Sequence, residues 1–148
     1  GQGPVDVTPI GVARFIQAIG NDGVMVQPTV EWDRAGQAPE GKRIMSPQVA
    51  RKLQGAMLAV VDSGTAKTAQ PLMEGTGWDM AGKTGTAQVP GRHDDGWFAG
   101  LMYGPDGKPH YTITVYLRGG GPGGHAPAAV AGGMTRIMSR LNIATGRE

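Results

Sequence analysis

The sequence predicts an α+β fold in which helices cover a small antiparallel sheet. Three observations carry this. Apolar residues recur at helical spacing after Thr8-Pro9 and again after Ser46-Pro47, the pattern turns extended from Trp78 to Leu117, and helical spacing returns near Pro127. No alternation of strand and helix suggests a parallel sheet.

Thr8 before Pro9 caps a first helix whose Ile10, Ala13, Ile16 and Ile19 share one face, and Asn21-Asp22-Gly23 stops it. Val24 to Val26 and Thr29 to Trp32 read as short extended pieces around Pro28, suited to an edge or a crossing loop, and Gly36 to Gly41 reads as a loop. Ser46 caps a second helix, with Val49, Leu53, Ala56, Met57 and Val60 as the expected buried face and Asp62-Ser63-Gly64 as its end. Thr65 to Gly77 is a connection. Three strands follow, Trp78–Gln88, Gly96–Tyr103 and Tyr111–Leu117, the last two joined by a hairpin at Pro105-Asp106-Gly107. After the turned segment Gly119–Gly124, a last helix carries Val130, Met134, Ile137, Met138 and Leu141 on one face. Gly132 and Gly133 within it cost roughly 1 kcal/mol each against alanine, so both are expected to permit close packing on the sheet.

At 148 residues and 39% hydrophobic content the chain suits one packed unit. Its 14 Lys and Arg are scattered, the net charge is +2, and no basic stripe with interleaved aromatics points to nucleic acid. The absence of cysteine excludes disulfides and thiolate metal sites. No apolar run reaches the roughly 20 residues of a membrane span, and Gly1-Gln2-Gly3-Pro4 has no signal-peptide character. Any membrane anchor is therefore expected outside these residues, and neither a cofactor nor a metal is expected.

The chemistry concentrates in Ala81-Gly82-Lys83-Thr84-Gly85-Thr86-Ala87-Gln88. Gly77 to Thr84 satisfies the phosphate-loop string G-x-x-x-x-G-K-[ST], but that loop needs a helix after it, and Gly85, Val89-Pro90-Gly91 cannot sustain one. The other reading is the Lys-Thr-Gly strand of serine acyl-transfer enzymes. With a period of two, Thr84 and Thr86 project to one face, where two hydroxyls can hold a carboxylate, and Lys83 projects to the other. Gly85 leaves room for close approach, and the Thr86 backbone N–H can serve as half an oxyanion hole.

Other segments extend the match along the chain. Gly1-Gln2-Gly3 with Thr8-Pro9, Asn21-Asp22-Gly23 with Pro28, Val60-Val61 with Gly64-Thr65-Ala66, Ala81 to Gln88, Trp97-Phe98-Ala99-Gly100, and Gly119-Gly120-Gly121 with Gly123-Gly124 before His125-Ala126-Pro127 come in the order seen in class B penicillin-binding proteins. The chain resembles the C-terminal part of their transpeptidase domain. It departs from the family in lacking both S-x-x-K and S-x-N: Ser46, Ser63 and Ser139 are followed three residues on by Val49, Ala66 and Asn142.

The resemblance implies the penicillin-binding/β-lactamase-like transpeptidase fold. Residues 1–148 are expected to begin midway through that domain, with the nucleophile-bearing half, the dimerisation module and the anchor elsewhere. It implies Lys83 and the Thr86 amide in catalysis, Thr84, Gly85 and Thr86 in substrate binding, and peptidoglycan stem peptides and β-lactams as ligands. The N-terminal half of the domain is the implied partner, and the location implied is periplasmic or the outer face of the inner membrane. The segment alone is expected to be inactive. A β-lactam sensor or β-lactamase of the same fold is the alternative within this resemblance, and a phosphate-loop nucleotide binder the alternative outside it.

Around this strand, Trp97 and Phe98 are expected to pack in the core or hairpin, and His93, Asp94 and Asp95 to form a solvated loop rather than a metal or acid–base cluster. Thr65, after a flexible glycine, is read as a structural turn in preference to a residue bordering the site, His125 as a surface or capping residue, and the methionines at helical spacing as core fillers.

Overall fold

In a computed structural model, residues 5–31 and 40–141 are described. The extended piece reaching Trp32, the loop from Gly36 to Pro39 and the Gly1-Gln2-Gly3 segment fall wholly or partly outside them. Helix α1 (Pro9–Gly20) starts where its cap requires: the Thr8 hydroxyl accepts from the Gly11 N–H at 3.2 Å, and Pro9 occupies the first turn, where no N–H partner is needed. Strand β1 (Val24–Val26), read as extended, pairs antiparallel with β2 (Gly41–Arg43), which starts at the last residue of the expected loop and had no strand reading. Three-residue strands carry too little periodicity to be distinguished from loop.

Helix α2 (Pro47–Asp62) begins on the Ser46 hydroxyl, which accepts from Val49 N–H. A 3₁₀ turn (Lys67–Ala69) and the one-turn helix α3 (Gln70–Met73) then lead into the main sheet. That sheet has the order β3 (Asp79–Ala87), β4 (Asp95–Tyr103), β5 (Pro109–Leu117), all antiparallel, and helix α4 (Ala126–Arg140) closes the described chain. The fold class is the α+β arrangement expected.

The sheet is covered on both faces. Met80, Phe98, Met102, Ile113 and Val115 project into a core shared with Ala128 and Ala131 of α4 and with Met73. The alternate residues Ala81, Ala99, Leu101 and Tyr103 pack against Ile16 and Ile19 of α1 and Met57 of α2. Strand periodicity divides the apolar residues between two cores. Helix α2 touches both, through Met57 and Val61.

The helix faces depart from expectation in an instructive way. On α2 the buried residues are Ala50, Met57 and Val61, while Val49 and Leu53 are exposed. On α4 they are Pro127, Ala128, Ala131, Gly132 and Thr135, while Val130, Met134, Ile137 and Leu141 face outward. The large apolar residues mark one stripe, but close approach of a helix to neighbouring backbone selects the small ones. Gly132 lies against the backbone of Ala69, where an added Cβ would stand 2.7 Å from the carbonyl oxygen, so it packs on the 3₁₀ turn and not on the sheet. Gly133 meets nothing within 4 Å, and its expected packing role is withdrawn.

Candidate active site

The Lys-Thr-Gly segment lies inside β3, with Lys83 opposite Ala99, Thr84 opposite Phe98, Gly85 opposite Trp97 and Thr86 opposite Gly96. The strand continues to Ala87, so no helix N-terminus follows Lys83-Thr84 and the phosphate-loop string lacks the geometry that would cradle phosphates. β3 is also the edge of its sheet, which leaves one side of its backbone unpaired by β4.

Parity along β3 separates the side chains. Met80, Thr84 and Thr86 share the face of the α4 core, and Ala81, Lys83 and Gly85 the face of α1 and α2. Packing forces one glycine and favours a second. A Cβ on Gly82 would collide with the Phe98 ring, and one on Gly85 would press on Trp97 Cβ at 3.3 Å.

Lys83 is exposed, and its Nζ donates to the neighbouring Thr84 carbonyl at 2.8 Å. The ion pairs among the described residues do not include it. A cation held by a single backbone carbonyl keeps donor capacity for an incoming anion.

Distant segments converge on this strand. The Thr84 and Thr65 hydroxyl oxygens are 2.7 Å apart. The Thr86 hydroxyl oxygen accepts from Gly123 N–H at 3.4 Å. A Cβ on Gly123 would collide with the Trp97 and Gly85 carbonyls, and one on Gly124 with the Thr65 carbonyl, while the Thr68 hydroxyl donates to the Gly124 carbonyl at 2.6 Å. Gly64-Thr65-Ala66, Lys83-Thr84-Gly85-Thr86 and Gly123-Gly124, far apart in the chain, meet at one end of the sheet. Thr65, read first as a structural turn and second as a residue bordering the site, stands beside Thr84.

The described residues place the remaining candidates differently. Phe98 is fully buried, whereas Trp97 is half-buried and packs on Tyr116 with ring centroids 4.6 Å apart. His125 is exposed and makes no capping bond through its side chain. The solvated-loop reading of His93 to Asp95 fails at Asp95, which is 5% exposed. Both Asp95 oxygens accept from the Arg92 guanidinium, the Arg92 Nη2–Asp95 Oδ2 bond being 2.6 Å. Asp95 also accepts from the Tyr116 hydroxyl at 2.8 Å and Gly119 N–H at 2.7 Å. The guanidinium, the Gly119 amide and the Tyr116 hydroxyl hold its carboxyl far below the usual carboxylate range, against the opposing effect of burial. Among the described residues no group of three or more His, Cys, Asp or Glu is placed to hold a metal.

Residues 1–136 match the family model of the penicillin-binding protein transpeptidase domain. The chain belongs to that family. It is 31% identical over 125 residues to a probable peptidoglycan D,D-transpeptidase, PenA, of Neisseria meningitidis, covering 82% of this chain and 21% of the relative. Among solved structures it resembles penicillin-binding protein PBP2 from Helicobacter pylori, with TM-score 0.78, 25% identity and coverage of 95% of this chain and 26% of the other. It also resembles penicillin-binding protein A from M. tuberculosis in an imipenem acyl-enzyme complex, with TM-score 0.70, 26% identity and coverage of 95% and 32%. The chain thus spans about a fifth of the PenA relative and about a third or less of these two solved chains.

Proposed function

We propose that this segment supplies the carboxylate-binding and oxyanion side of a serine D,D-transpeptidase that crosslinks peptidoglycan stem peptides and is acylated by β-lactams. The observation that carries the reading is the convergence of the Thr65 turn on Thr84 and of the Gly123-Gly124 loop on Gly85 and Thr65, beside the exposed Lys83 of the edge strand β3. Family membership and the acyl-enzyme state of one structural neighbour support it.

In this reading a serine outside residues 1–148 attacks the carbonyl carbon of the D-Ala–D-Ala bond. A C–O bond forms, the C–N bond breaks, and the departing D-Ala amine takes the proton. An amine of a neighbouring strand then attacks the ester, forming the crosslink and returning the proton to the serine. Lys83 stabilises the anionic groups and tunes the serine's hydrogen-bond network, Thr84 and Thr86 hold the terminal carboxylate, and the Thr86 amide contributes to the oxyanion hole, with Gly85 giving the ligand access. A β-lactam enters the same path, and its acyl-enzyme resolves slowly.

The reaction is proposed to occur on the extracytoplasmic side of the membrane. No helix among the described residues is long and apolar enough to cross a bilayer, so the reading places any anchor elsewhere in the protein. Fluorescent penicillin, followed by denaturing electrophoresis and intact mass, tests the reading. The full protein containing this segment is expected to form one covalent adduct, mapped outside residues 1–148, and the isolated segment none. An adduct on a serine or threonine of the segment, or none on the folded full protein, would overturn it.

A further inference from the structure

Thr65 enters the site through its surroundings and not through any motif that names it a ligand. Its backbone is fixed on both sides. Gly64 folds back on the end of α2, where an added Cβ would stand 2.8 Å from Val60 Cα, and Ala66 is fully buried with its N–H bonded to the Val60 carbonyl at 3.0 Å. Gly124 seals the Thr65 carbonyl from the other side, clamped in turn by the Thr68 hydroxyl. This fixed turn delivers the exposed Thr65 hydroxyl to within 2.7 Å of Thr84 Oγ1.

Each hydroxyl has one proton and two lone pairs, and between two of them only one proton lies on the shared line. If Thr84 donates to Thr65, it turns lone pairs toward a bound carboxylate. If Thr65 donates to Thr84, the Thr84 proton is released for that anion, which only accepts. We infer that Thr65 is a positioning residue of the carboxylate subsite: it donates to Thr84 and so sets the Thr84 hydroxyl as a donor to the ligand's carboxylate. The neighbouring Lys83 charge favours the same anion, and polarised chains of hydrogen bonds strengthen one another.

The inference rests on the transpeptidase reading, and one experiment separates the two. In the full protein, acylation rates are measured by intact mass with benzylpenicillin and with its methyl ester, for the wild type, Thr65→Val and Thr65→Ser, with thermal unfolding of each. Valine keeps the shape and removes the donor. Thr65→Val leaves Thr84 its own proton and removes only the neutral hydrogen bond that orients it, so the rate with the acid is expected to fall roughly 3- to 10-fold. The ester rate should change little, and Thr65→Ser should restore the acid rate. Equal losses with acid and ester, or no loss with either, would overturn the role of Thr65 while leaving the transpeptidase reading intact. Should valine not fold, a Thr65→Ser rate with the acid as low as that of Thr65→Ala would overturn it. Absence of any wild-type adduct overturns both.

Discussion

Two cations nine residues apart on one hairpin are treated in opposite ways. Arg92 closes the β3–β4 connection by bonding both oxygens of buried Asp95, and Asp95 draws Tyr116 and Gly119 into the same cluster. Lys83, in the middle of β3, reaches among the described residues only a neighbouring carbonyl. A planar guanidinium matches a carboxylate at two points and fixes a loop, whereas an ammonium on a flexible stem remains available to an incoming group. The difference separates a part of the hairpin that holds its shape from a part that, in the proposed function, receives a ligand. The clasp also sets the rim, since Asp95 fixes Gly119, and Gly121 N–H donates to the Asp94 carbonyl at 2.9 Å at the start of the loop that reaches Gly123.

The largest break in this comparison is expected from Lys83→Ala in the full protein. Loss of an electrostatic stabiliser of this kind costs roughly 10²- to 10³-fold in rate, read as the rate of acylation by a penicillin. Stability should change by no more than about 0.5 kcal/mol, as for other exposed positions. Unchanged acylation would remove Lys83 from the site.

Asp95→Asn is expected to do the reverse, lowering the unfolding temperature more than any other single polar substitution in the hairpin. It also carries a pH signature. Because the folded-state pKa of Asp95 lies below its ordinary value, its stabilisation is fully present above roughly pH 5 and is lost as pH falls through the range below about 3.9 toward the folded pKa. The stability gap between wild type and Asp95→Asn, followed by denaturant titration, should therefore be constant at neutral pH and close in acid. A gap that widens in acid would show that the clasp does not depend on the ionised carboxylate.

Gly124→Ala sharpens the comparison by disturbing the Thr65 turn, which meets Thr84 next to Lys83. A side chain forced against the Thr65 carbonyl is expected to cost about 1–3 kcal/mol by overpacking, and the displaced turn should slow acylation as well. Stability and rate both at wild-type level would mean that the three segments do not meet as described. The smallest effect is expected from Ser46→Ala at the α2 cap, about 1 kcal/mol in chemical unfolding with acylation unchanged.

Much of the fold could be read locally. Thr8-Pro9 and Ser46-Pro47 start helices where caps and first-turn prolines dictate, and Tyr111 to Leu117 alternates because its sheet buries one residue in two on each side. The Lys-Thr-Gly strand was equally legible, because glycine and proline after it exclude the helix that the competing phosphate-loop reading needs. The faces of α2 and α4 were legible only in part, at Met57, Val60 and Met138. Counting large apolar residues pointed to Val49 and Val130, whereas contact distance selected Ala50 and Ala131.

Asp95 and Thr65 show the same limit in the site. A lone aspartate in a polar loop looks solvated until Arg92, Tyr116 and Gly119 are brought around it, and a threonine after a glycine looks like a turn until Thr84 stands opposite. By itself the sequence determined the elements, the order of the motifs and the strand that carries Lys83, because caps, turns and periodicity act over a few residues. Only the tertiary structure decided which helix faces are buried, that Asp95 is paired and that Thr65 meets Thr84. Those depend on distances between segments tens of residues apart, which local spacing does not encode.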